Sequence, residues 1–289
     1  MGMAKNSRRG KVLFTWRRRI HRVGAVKKGF NNWLSVLMTV ALRKLKASPG
    51  DLNIVTAQGS YVSCPNRIGA MAPVFEIFVY DSYHLREFSQ QTIPNHPLTI
   101  LDVGAHVGAF SLAMLEKFPT CRCICCEPSP KTFQYLRKNI ERNGVQERVQ
   151  LIEAAVLAED RETALFEGKD GSAKNSVLIP LDGGKTCTVQ GLAFDRLVDK
   201  LDSEVDVLKL DCEGAEYEIL FNASPSTLEK IRSIVLEYHP VPGNGWNKIQ
   251  EYLTAGGFQM EWHEPSLLDR GGMAAFRRVE KVEANKKIS

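Results

Sequence analysis

The stretch LTILDVGAHVGAFSLAM, residues 98–114, runs from branched apolar residues into an acid, through a short glycine-rich turn, and then into apolar residues at helical spacing. Branched side chains favour the pleated backbone, glycine tolerates the left-handed turn, and the periodicity that follows buries one helical face. A strand, a tight turn and a helix in that order belong to a sheet whose strands lie parallel and whose helices cover its faces.

The rest of the chain supports this assignment. Strands are expected at Thr99 to Val103, Arg122 to Cys126, Val149 to Val156, Val205 to Asp211 and Ser233 to Glu237, alternating with helical segments. GGFQMEWHE and GGMAAFRRV have no helix between them and should pair as an antiparallel hairpin. EGKDGSAKNSVLIPLDGGKTCTVQ, rich in turn residues, reads as a variable connection between the third and fourth strands. Upstream, Phe30 to Leu45 is an amphipathic helix carrying Phe30, Trp33, Leu34, Leu37, Val40, Ala41 and Leu45, and SPGD ends it. LNIVTAQGSYVSC reads as two short strands around Gln58-Gly59, and VFEIFVYDSYHLREF is suited either to close over a pocket or simply to pack.

The expected fold class is α/β: a doubly wound, mostly parallel Rossmann-like sheet with an antiparallel hairpin at its C-terminal edge, preceded by an N-terminal helix and short strands. The divisions are a basic arm at 1–29, a cap of helix and short strands at 30–97, the sheet domain at 98–280 and a tail at 281–289. With 289 residues, 44% of them hydrophobic, there is material for one substantial core. No internal repeat is present.

Charge and cysteine narrow the setting. The formal net charge of +5 hides an asymmetry, because residues 1–50 hold thirteen Lys or Arg and no acid. Such an arm either meets something anionic or stays solvated. Four of seven cysteines crowd into CRCICCEP, and alternation sets Cys121, Cys123 and Cys125 on one face, too close together for a zinc site. They read as small core side chains, and unpaired thiols fit a reducing, cytoplasmic compartment. The longest uncharged apolar stretch, Trp33 to Leu42, is well short of the roughly 20 residues a bilayer span needs. The N-terminal MGMAKNS departs from a myristoylation signal at Asn6.

Ligands of open α/β sheets sit beyond the carboxyl ends of the strands. Three expected strand ends are acidic here: Asp102, Glu127 and Asp211. The first turn reads Gly104-Ala105-His106-Val107-Gly108-Ala109, with His106 and Ala109 where a dinucleotide turn wants glycines. A carboxylate beside the turn also disfavours a phosphate. A cationic nucleoside suits the position, and S-adenosylmethionine is one: Asp102 could meet its ammonium, and Glu127, followed by Pro128, its ribose hydroxyls. Ser129 and Pro130 then open a helix that an Asn-Gly pair stops.

At KLDCEGAE, Lys209 and Asp211 share a strand face, while Glu213 and Glu216, three apart, are expected on one side of the following helix. With Glu237 and His239 from the next strand end they make a pocket of four carboxylates, an imidazole and an ammonium. Either the acids only favour a helix start that Lys209 neutralises, or one of the groups takes a proton in a group transfer. Asp211 and Glu213 are the first candidates for that base, with His239 the rival. No metal-ligand set is assigned, although a hard cation such as Mg²⁺ or Ca²⁺ would suit such oxygens.

LDVGAHVGAFSL, EPSPKTFQYLRKNI, VLKLDCEGAEYEIL and IVLEYH together resemble the ordered blocks of the FkbM-type methyltransferases, within the class I S-adenosylmethionine-dependent fold, over roughly residues 76–258. His106 stands where many relatives carry Asn. The resemblance implies methyl transfer to a hydroxyl of a sugar, glycolipid or other natural product. Two other readings stay open: a nicotinamide oxidoreductase on the same fold, separable by cofactor titration, and a non-catalytic protein whose basic arm is the working part. Basic and apolar residues interleave in that arm, so residues 1–46 could lie on an anionic membrane surface, and an organelle transit peptide has the same composition. Nucleic acid is another anionic surface such an arm could meet, though the less expected one, and the sequence leaves the oligomeric state open.

Overall fold

The computed structural model describes residues 23–44, 50–85, 96–168, 175–177, 185–266 and 271–279. The expectations for the arm up to Arg22, for Leu45, for Arg86 to Phe88 and for the tail from 281 fall outside those residues.

The central sheet has seven strands: β3 (Thr99–Val103), β4 (Arg122–Cys126), β5 (Val149–Ile152), β9 (Val205–Leu210), β10 (Ile231–Tyr238), β11 (Phe258–Pro265) and β12 (Gly272–Arg278). They lie in the order β11-β12-β10-β9-β3-β4-β5, and β12 alone runs against its neighbours. From β3 the chain first winds outward through β4 and β5, then returns to β9 on the other side and winds outward again. The order therefore reverses between β3 and β9, the place where open α/β sheets bind ligands.

Alternation fills both faces. Ile100, Cys123, Cys125 and Val207 pack into one apolar layer with Leu112, Met114 and Leu136, while Leu101, Val103, Ile124, Cys126, Leu208 and Leu210 pack into the other. The first layer is covered by α3 (Ala109–Lys117) and α4 (Pro130–Arg142), and the second by α5 (Phe194–Asp199), α6 (Glu216–Asn222), α7 (Pro225–Glu229) and α8 (Trp246–Ala255). The four clustered cysteines are buried core residues, as their spacing suggests.

Before the sheet come α1 (Trp33–Lys44), the hairpin β1 (Asp51–Val55) and β2 (Tyr61–Pro65), and α2 (Ile68–Phe75), which continues into a π-helical turn at Glu76–Tyr80. Phe30 does not join α1 but bridges to Thr56. Two asparagines fasten this cap to α4. Asn139, fully buried, accepts from Ser63 N and donates to the carbonyls of Ser63 and Val107, and Asn143 pairs with both backbone groups of Tyr61.

The structure corrects two sequence expectations. Val149 to Val156 is not one strand: β5 ends at Ile152, and β6 (Ala155–Leu157) enters a separate three-stranded sheet with β7 (Arg161–Glu167) and β8 (Lys185–Ala193). The turn-rich connection between the third and fourth strands therefore contributes to a second sheet, in the order β6-β8-β7. Among the described residues no helix is long and apolar enough to cross a membrane.

Candidate active site

The turn after β3 and the turn after β9 meet at the switch point. Gly104 and Gly108 are left-handed, at φ 79 and φ 87, and His106 takes φ 53 between them. A β-carbon at Gly104 would collide with the carbonyl oxygen of Asp211, so only glycine lets the turns close on each other. Lys209 fixes the junction by donating to Gly104 O at 2.7 Å while pairing with Asp102 at 3.3 Å and Asp211 at 3.5 Å. Burial opposes its charge, but Asp102 and Asp211 outweigh that and hold the ammonium above its usual range.

Asp102 lies wholly inside, with its carboxylate bonded by Ser111 Oγ at 2.7 Å and paired with Lys209. Ala105, buried with it, carries the turn into His106, whose imidazole burial depresses to about 4 and so keeps neutral. Glu127 ends β4 with both oxygens engaged, one accepting from His106 N at 3.0 Å and the other from Ser129 N at 2.9 Å across Pro128. Burial lifts this carboxyl to about 7 even though those two amides pull it down.

Beyond β9 the expected helical pairing of Glu213 with Glu216 is not what forms. Glu213 sits in the turn at φ 52 with Gly214 at φ 108, and α6 starts only at Glu216. The glycine-rich turn delays the helix, so the two acids are not stacked on one face. Glu216, fully buried, folds back to accept from Cys212 N and Gly214 N at 2.7 and 2.9 Å. Both acids still reach His239, Glu216 at Nδ1 (3.1 Å) and Glu213 at Nε2 (3.5 Å). Although burial opposes it, Glu216, Glu213 and Asp211 hold this imidazole charged well above its ordinary range.

Asp211, Glu237 and His239 bring one ligand atom each within 4.8 Å of one another, a grouping that could also receive a cation. Their environments push the two carboxyls apart. Burial opposes ionisation of Asp211, but Lys209 and His239 outweigh it and hold the group below its usual range. Glu237 is raised to about 8, by burial first and by Asp211 next.

Sequence reasoning missed two members of the site, both from the cap. Tyr83 donates to Asp211 Oδ2 at 3.1 Å and packs edge-on against Phe110. Glu76 is close enough for Asp211 to raise its carboxyl and Lys209 to lower it, though burial is the larger cause. A tight loop presents Tyr83: Asp81 is left-handed, and its side chain accepts from Leu85 N at 2.9 Å. The apolar run there shows only that the segment packs. Glu76, the one acid within VFEIFVY, was the available signal.

Residues 102–260 match the methyltransferase FkbM domain family. The chain belongs to that family. It is therefore an S-adenosylmethionine-dependent methyltransferase, and the nicotinamide oxidoreductase and non-catalytic readings fall away. With two curated relatives the similarity runs over most of their length. With methyltransferase sdnD of Sordaria araneosa it shares 26% identity over 218 residues, 64% of this chain and 80% of that protein. With 31-O-demethyl-FK506 methyltransferase FkbM of Streptomyces tacrolimicus it shares 26% over 187 residues, 55% of this chain and 72% of the other. Among solved structures, the N-terminal domain of human METTL16 in complex with SAH aligns at a TM-score of 0.47 and 12% identity, covering 86% of this chain and 84% of that one.

Proposed function

We propose that this methyltransferase is O-directed and methylates a hydroxyl of a sugar, glycolipid or other natural-product acceptor. The observation that carries the reading is the pair Asp211 and Glu237, one carboxyl kept ionised and the other titrating near 8 beside it. Paired groups with divided pKa values mark acid–base sites.

S-adenosylmethionine, when bound, supplies an electrophilic methyl group on a sulfonium. The residues at the first turn fit it: Gly104, Ala105, His106 and Gly108 would lie against it, with Glu127 and Pro128 at its ribose. Each Glu127 oxygen accepts only one backbone amide and keeps a lone pair for a hydroxyl. A carboxyl raised to about 7 also needs further donors to stay charged. Asp102 serves this site through the turn it anchors by way of Ser111 and Lys209.

On the acceptor side, Asp211 is held by Tyr83 and Lys209 and is the fixed negative charge that keeps the neighbouring Glu237 basic. Glu237, about one-third exposed, would take the hydrogen bond of the acceptor hydroxyl, orient its oxygen and receive its proton as that oxygen takes the methyl group and the demethylated cofactor is left neutral. His239 stays charged and keeps Glu213 and Glu216 from repelling each other. Glu213 is left to accept from a second hydroxyl of a polyhydroxylated acceptor.

Incubating the enzyme with methyl-labelled cofactor and a panel of hydroxylated acceptors tests this. Label should appear in an ether linkage, and label on nitrogen or carbon would refute O-methylation. Asp211→Asn should keep its affinity for the demethylated cofactor within a few fold while turnover falls about 10² to 10⁴-fold. Glu127→Ala should weaken that affinity by about one to two orders of magnitude in calorimetry, the worth of hydrogen bonds to a charged group.

A further inference from the structure

Helix α1 has apolar residues on two sides. Val36 is fully buried, and Trp33, Leu37 and Val40 pack against the cap's core. Leu34, Met38 and Ala41, spaced four and three apart, form a second stripe that points away from that core. Leu34 is 64% exposed and Met38 63%. Single exposed apolar residues are ordinary, but a contiguous group on one face calls for a partner.

The surroundings define that partner. Lys27, whose ammonium lies over the Trp33 ring next to Leu34, and Lys28 are exposed, and residues 1–50 contain no acid. We infer that this stripe seats the enzyme on an anionic lipid surface. Leu34 and Met38 enter the boundary between headgroups and acyl chains while the cations meet lipid phosphates. Charge disfavours the other occupants. Residues 1–22 carry eight basic side chains and no acid, so folding them over the stripe brings like charges together. A second copy docked by a two-fold axis sets the same basic rim against itself. Nucleic acid satisfies the cations but offers nothing apolar to Leu34 and Met38. The inference is independent of which atom the enzyme methylates, because vesicle binding is read without turnover.

The test is cosedimentation of the full chain with phosphatidylcholine vesicles, with and without phosphatidylserine, at low and high salt. Binding should require the anionic lipid and weaken with salt. Leu34→Glu combined with Met38→Glu should reduce partitioning by about tenfold or more. The milder Leu34→Gln with Met38→Gln should do the same in part, and serves if the first pair misfolds. Melting temperature and affinity for the demethylated cofactor should not change. Three results would overturn the proposal: no binding to anionic vesicles at low salt, binding that both double variants leave intact, or a fall in sedimentation coefficient of the variants without vesicles, which would make the stripe a self-association surface.

Discussion

Glu237 should be visible in the enzyme's pH profile. Burial and Asp211 raise its pKa to about 8, and a base works only when deprotonated. Turnover should therefore rise with pH and level off above about 8. Glu237→Gln should lower the plateau by about 10² or more and remove that inflection, whereas a purely structural role would leave the inflection where it was. Its partners differ in how far they can be read from sequence. Lys209 and Asp211 are two apart on a strand, so alternation alone puts them on one face, and they do meet. Glu127 follows from the strand-end rule. Asp102 is legible as an acid but not as half of a buried ion pair, because Lys209 lies on a strand that becomes its neighbour only when the sheet closes. Tyr83 is further still from inspection, since its contact with Asp211 spans 128 residues and no local period encodes it.

Elements were legible where one local rule governs both ends. β3 and β4 fall at the expected residues, and α4 starts at Pro130 after Ser129 and stops at Asn143 and Gly144. The rule fails at residues 149–156, where one strand-like stretch, VQLIEAAV, serves two sheets and only pairing partners tell where one strand ends. The charge of Glu213 and Glu216 was read correctly, but their phase was not, because a left-handed turn before a helix removes the helical period on which the pairing rested. The attachment of the cap rests on single polar side chains that no periodicity announces. Asn139→Ala leaves Ser63 N and the carbonyls of Ser63 and Val107 without partners in a dry site. Two or more such groups should cost about 2 to 4 kcal/mol, seen as a lower midpoint in denaturant with an unchanged slope. Since Val107 belongs to the glycine turn, cofactor affinity should fall as well.

Across the whole molecule the cap is not an appendage. Phe30, Leu52, Ile54, Val62 and Val74 lie in the same buried layer as Ile100, Leu112 and Met114. Shared apolar burial makes for shared unfolding, so the full chain should melt in one transition with equal calorimetric and van't Hoff enthalpies. Two resolved transitions would show that cap and sheet are separate folding units. The close approach of Gly104 to Asp211, clamped by Lys209, bears on how such an enzyme can diversify. In the proposed reaction the donor side and the proton-accepting side share this one joint with no slack, so substitutions there should disturb both at once. Glu76 and Tyr83 come from outside that joint, on a π-helical turn and a left-handed loop that tolerate altered length and sequence far better than a packed strand does. A descendant of this chain can thus acquire a new acceptor by remodelling residues 76–85 while its chemistry stays inherited and fixed.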